Sequence, residues 1–173
     1  MRSCSFGKEG IETISKFLRE CKTITKINLE KNKLKEEGAK IFSDCLYNNH
    51  SLRSIKLNIN QIGDKGMKHL CDSLRWNESV SKLHLLSNQL KEDSVVYLRD
   101  LLKSNVNLTF VNFLIGNSFQ NSDKRDKIFS ILNANEEIRE LRILMLKLRI
   151  TQKTLLSTLP RRLFMYLLTF LNK

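Results

Sequence analysis

The amino-acid sequence predicts an α/β solenoid in which short parallel strands stack into one sheet and each strand is followed by a helix on the opposite side. Three observations predict it: apolar columns recurring every 28 residues, a pair of apolar residues two apart in each unit, and a helical stripe after each pair. Ile24, Leu52, Val80 and Leu108 set the interval. Asn32, Asn60 and Asn88 keep it, as do Leu34, Ile62 and Leu90, then Gly38, Gly66 and Ser94. So do Leu46, Leu74 and Leu102, followed by Asn49, Asn77 and Asn105. So many columns in step exclude a chance similarity.

In chain order, Ile11, Ile14, Phe17 and Leu18 fall on one stripe and predict a helix before the first complete strand. The pairs Ile27 and Leu29, Ile55 and Leu57, Leu83 and Leu85, and Val111 and Phe113 then each mark a strand. Residues two apart share a face of a strand, so these pairs point to the core and their neighbours point outward. The Asn after each strand carries both a donor and an acceptor. An inward Asn32, Asn60 or Asn88 therefore satisfies the backbone where the chain leaves the strand, and stacked copies form a ladder; Cys4 occupies the same column. Helices follow on the stripes Ala39, Phe42, Cys45, Leu46; Met67, Leu70, Ser73, Leu74; and Val95, Leu98, Leu101, Leu102. Past Phe113 the interval becomes 30, returning at Ile128, Ile131, Leu132 and Asn135 and then at Ile138, Leu141 and Ile143. Two residues are thus inserted in a turn and the stack continues. Met1 projects onto the Leu29 column, so the chain is expected to be a piece of a longer repeat protein.

The unit L-x-x-L-x-L-x-x-N-x-L followed by a helix resembles the leucine-rich repeat, and its 28-residue period with a Gly-led helix resembles the ribonuclease-inhibitor subtype. The resemblance implies a horseshoe with its parallel sheet on the concave side and its helices on the convex side. It divides residues 1–150 into a partial repeat over 1–23, repeats over 24–51, 52–79, 80–107 and 108–137, and a terminal strand over 138–150. Residues 151–173 form a basic and apolar capping segment, helical from about Pro160. Outward strand positions give three concave columns. The first runs Asn28, Lys56, His84, Asn112, Arg142, and beside it lie Lys26, Ser54, Lys82, Phe110, Glu140. The third runs Glu30, Asn58, Leu86, Leu114, Leu144. The first half of this surface is polar and basic, while Leu86, Leu114, Leu144 and Phe110 make an apolar anchor rimmed by Lys82, His84 and Arg142. The anchor either receives a partner or is covered by the C-terminal segment.

Composition removes whole classes of function. At 173 residues, 41% hydrophobic, with six Gly and one Pro, the chain is neither collagen-like nor low-complexity. Its start has no apolar signal region, and its longest apolar stretch, 163–171, is too short to span a membrane. Cys4, Cys21, Cys45 and Cys71 lack metal or redox spacing and read as reduced thiols of a cytoplasmic protein. The sequons at Asn49, Asn77 and Asn107 then remain unglycosylated. The net charge of +12 is uneven: residues 1–140 carry +5, and 141–173 carry +7 with no acid.

His50, His69 and His84 sit at different repeat positions without ligand spacing, and no phosphate-binding Gly-rich loop or paired nucleophile and base is present. The expectation is therefore a non-enzymatic protein-interaction module or scaffold that binds a partner protein on its concave face, with no cofactor, metal or small-molecule substrate. Three alternatives carry specific marks. Repeats of this subtype occur in activators of the GTPase Ran, but that family follows its repeats with an acidic segment, which is opposite to 141–173 here. Leu159 to Leu171, LPRRLFMYLLTFL, resembles the opening of an F-box, an adaptor-binding element of ubiquitin ligases, and stops short of a whole one. Arg142, Lys147, Arg149, Lys153, Arg161 and Arg162 offer charge to nucleic acid or an anionic membrane, without an aromatic stacking platform.

Overall fold

The computed structural model describes residues 7–119, 126, 128–137 and 139–140. The chain divides into two compact units, Met1–Asn135 and Glu136–Lys173, a division that falls before the 150/151 boundary read from the sequence. The first unit alternates helices and strands: α1 (Gly7–Glu20), β1 (Lys26–Asn28), α2 (Lys35–Leu46), β2 (Ser54–Lys56), α3 (Gly63–Leu74), β3 (Lys82–His84), α4 (Glu92–Ser104) and β4 (Phe110–Asn112). The four strands form one parallel sheet in the order β1-β2-β3-β4. Lys26 pairs with Ser54, Ser54 with Lys82 and Lys82 with Phe110, so each neighbour is one 28-residue repeat away. This is an α/β leucine-rich-repeat solenoid.

The strands are short because each repeat contributes only one inward residue to the strand and a second at its exit. Ile55, Leu83 and Val111 are buried in the first role, and Leu29, Leu57, Leu85 and Phe113 in the second. The helices close the core from the other side through Ala39, Phe42, Cys45 and Leu46, through Met67, Leu70 and Leu74, and through Val95, Leu98, Leu101 and Leu102. Two stripe positions differ from the sequence pattern. Ser73 is half-buried while Cys71 is fully buried, and Phe17, on α1, is 55% exposed. Phe17 borders a cleft of about 490 Å³ lined also by Ile14, Leu18, Ile24 and Ile27, beside the edge strand. There Ile24 and Ile27 are only partly buried, whereas Leu52, Ile55, Val80 and Leu83, in the two repeats with a paired strand on each side, are fully buried.

Two asparagine ladders join the repeats. At the strand exits, the Asn60 Oδ1 accepts the Asn32 N–H at 2.9 Å, and the Asn60 Nδ2 donates to the Leu29 carbonyl at 2.8 Å. Asn88 relates to Asn60 and Leu57 in the same way. The next member is Asn117, whose Oδ1 accepts the Asn88 and Leu90 N–H groups and whose Nδ2 donates to Leu85. Asn117 stands 29 residues beyond Asn88, so one of the two inserted residues precedes it and one follows. At the helix exits a second ladder runs through Asn49, Asn77, Asn105 and Asn135. The Asn77 Oδ1 accepts the N–H groups of Ser79 and Val80 in its own turn, and its Nδ2 reaches back to the Leu46 and Asn49 carbonyls. Asn49 and Asn105 repeat the arrangement. The sequons at Asn49 and Asn77 are therefore occluded, their side chains buried and fully engaged.

Between strand and helix the backbone takes left-handed conformations at residue types that give no local warning of it. Lys31, Lys33 and Lys35 have φ of 61°, 51° and 56°, and Ile59 and Gln61 have 57° and 58°. Only Gly63 and Gly116 meet such a demand without a Cβ penalty. At Gly116 a Cβ would also collide with Ser87, its Cα lying 2.9 Å away. Helix α4 starts on a cap lent by the preceding repeat: Asp64 accepts the N–H of Lys91 at 2.9 Å, the N–H of Ser94 at 3.2 Å and the Ser94 hydroxyl.

Residues 126, 128–137, 139 and 140 are helical, the last two inside the stretch expected as a terminal strand. Asn135 lies inside this run, whereas Asn105 ends α4, and it donates to the Asn105 and Leu108 carbonyls. Cys4, the remainder of the expected terminal strand and the capping segment lie outside the described residues.

Candidate functional site

The open face of the sheet is built by the parallel register. Pairing across β1 to β4 sets Lys26, Ser54, Lys82 and Phe110 in one row and Asn28, Lys56, His84 and Asn112 in the next. Glu30, Asn58, Leu86 and Leu114 follow at the strand exits, all half-buried. The three lysines are exposed, and neighbouring strands in a sheet lie about 4.8 Å apart, which separates the Lys26 and Lys82 backbones by about 10 Å. Among the described residues no ion pair reaches any of them.

Two of the expected binding residues serve the backbone as well. The Asn58 Oδ1 accepts the Leu86 N–H at 2.9 Å, and the Asn28 Oδ1 accepts the Glu30 N–H at 3.0 Å. Leu114 packs partly against the core. Phe110 is the large apolar side chain left on the strands, 42% exposed, with its ring centroid 5.0 Å from that of His84. Partial burial holds the His84 imidazole below its ordinary pKa; Lys56 and Lys82 push the same way and Glu30 opposes them. Arg142 and Leu144, and with them the question of whether the C-terminal segment covers the leucines, lie outside the described residues. So do Lys147, Arg149, Lys153, Arg161 and Arg162.

Residues 48–71 match the family model described as Leucine Rich repeat, covering one helix exit, one strand and most of the next helix. The same columns recur in register in the units on either side. The chain has the leucine-rich repeat fold. Solved structures place the repeat array among known folds. Leiomodin-1 actin-binding site 2 superposes with a TM-score of 0.74 at 17% identity, over 82% of this chain and 81% of that one. The tropomodulin C-terminal domain from Caenorhabditis elegans gives 0.50 at 17% identity, over 78% of this chain and 98% of that one. No curated protein sequence matches the chain significantly.

The leucine-rich repeat array exposes further apolar groups that the column reading passed over. Ile59 and Ile115, 43% and 73% exposed, stand one residue past Asn58 and Leu114 at the strand exits. Their signal was an apolar residue at a position where the other repeats carry Lys31 and Ser87. Among the described residues no three His, Cys, Asp or Glu side chains are placed to share a metal ion, and no helix is long and apolar enough to cross a membrane.

The thiols are sharply unequal. Burial raises Cys45 to about 11 and drives Cys71 upward further still. Cys21, in the Asn49 column, is lowered by hydrogen bonds from the Thr23 hydroxyl and from the N–H groups of Thr23 and Ile24. Its sulfur therefore plays the turn-closing part that the Asn side chain plays in later repeats.

Proposed function

We propose that the protein is a non-enzymatic interaction module that receives a partner protein on the open, concave face of its sheet. The observation that carries this reading is the solvent-facing Phe110 stacked beside His84 within rows of lysine and amide side chains. An exposed aromatic anchor ringed by polar groups is the arrangement that concentrates binding energy at protein interfaces. Because the sheet is fixed by the ladders before any partner arrives, little ordering entropy is lost on association. One solved neighbour of the same fold is itself named an actin-binding site, which supports a protein as the partner class. The 28-residue period with a helix in each repeat supports the ribonuclease-inhibitor-like subtype, and the free Cys45 and Cys71 support a cytoplasmic setting.

The test compares two surface variants of the full chain in affinity capture from cell extract, with circular dichroism as the check on folding. Phe110→Glu, on the sheet, is expected to lose partners that the wild type holds. Lys40→Glu, exposed on α2, is expected to keep them. Loss with the helix variant alone would move the interface to the other side.

A further inference from the structure

The chemistry of the open face also narrows what it accepts. Lys26, Lys56 and Lys82 stand on three successive strands, all exposed, with one carboxylate, Glu30, near their edge. Beside them the His84 and Phe110 rings form a small apolar shelf, tilted by 46° to each other. Resting on the reading of this face as the binding surface, we infer that it selects an acidic peptide segment of its partner, with carboxylates on Lys26, Lys56 and Lys82 and one apolar side chain on the His84–Phe110 shelf.

Charge complementarity carries the assignment. Three exposed like charges within about 10 Å form a positive patch that an anionic partner complements. A peptide fits better than a nucleic-acid backbone. The shelf shares its rows with the lysines, Phe110 with Lys82 and His84 with Lys56. A polypeptide can place an aliphatic side chain on the shelf and carboxylates on the lysines within one segment, whereas a nucleic-acid backbone offers phosphates alone.

His84 reports the event. The groups facing it are Lys82 on its own strand, Lys56 from β2, Glu30 from the β1 exit, and Phe110 and Asn112 from β4. In the free protein burial and the two lysines hold the imidazole neutral to lower pH. Carboxylates brought alongside oppose that effect and raise its pKa. Binding is then coupled to proton uptake, so affinity grows as pH falls from 8 to 6, above the range in which the partner's own carboxylates protonate.

The experiment follows the Cε1–H signals of His50, His69 and His84 against pH in the full chain. The probe is a synthetic peptide of alternating Glu and Asp with one central Leu. The midpoint of His84 is expected to rise by about one pH unit with the peptide bound. Changing Lys26→Glu and Lys82→Glu together, with unchanged circular dichroism, should weaken the peptide about tenfold. The inference is overturned if His84 does not respond, or if an oligonucleotide of equal charge moves it as far. It is equally overturned if peptide binding disappears only when the cations of residues 141–173 are changed to Gln. Should His84 stay silent while Phe110→Glu still loses its captured partner, the binding face stands and its acidic preference falls. Should both fail, the face is not the interface.

Discussion

The two asparagine ladders use the same residue at the two ends of each repeat and do different work with it. At the strand exit, Asn60 sends both its acceptor and one donor bond into the preceding repeat, to the amides of Asn32 and Leu34 and to the carbonyl of Leu29. At the helix exit, Asn77 spends its acceptor on its own turn and reaches the preceding repeat only through Nδ2. Each makes the same kinds of bond, yet the first couples repeats in both senses and the second separates turn closure from coupling. Cys21 stands at the same position of an earlier turn with no amide donor to reach back.

The largest effect should come from Asn60→Ala. It strands the buried amide of Asn32 and the carbonyl of Leu29, each costing about 1–3 kcal/mol, while the Leu57 carbonyl keeps Asn88 Nδ2, so chemical denaturation should show a loss of about 4 kcal/mol. Asn77→Cys should cost less, about 2 kcal/mol, because the thiol keeps the turn and only the two back-reaching bonds vanish. A loss as large as that of Asn60→Ala would show that turn and coupling cannot be parted. The smallest effect is a gain. Lys35→Gly places glycine where the next repeat already has Gly63 and removes a cation from the first turn of α2. Thermal unfolding should show about 0.5–1 kcal/mol of added stability, and no gain would mean that left-handed lysines are well tolerated in these turns.

What the sequence made legible follows from that same repetition. The strand register can be read off the 28-residue columns, because any slip would turn Ile55, Leu83 and Val111 out of the core. The rows of the open face came with it, Phe110 and His84 included. Features that break translation between repeats were not readable. Phe17 has a helical-stripe position but lies beside the edge strand, where burial depends on what packs next to it. Asn117 is displaced by an insertion whose place in the turn only the hydrogen bonds reveal. The Asp64 cap on α4 spans 27 and 30 residues, beyond the reach of local capping patterns. The engagement of Asn28 and Asn58 with the backbone is likewise a matter of side-chain geometry.

The strand-exit ladder also has a direction in time. The acceptor for the Asn32 amide is carried by Asn60, and that for the Asn60 amide by Asn88, so every exit turn is completed by a residue one repeat later. At translation rates of about 5–20 residues per second, that residue is made roughly one to six seconds after the turn it completes. Until then the turn's amides are left to water. Each repeat consequently waits on its successor, and the array matures from the amino end one unit behind the ribosome.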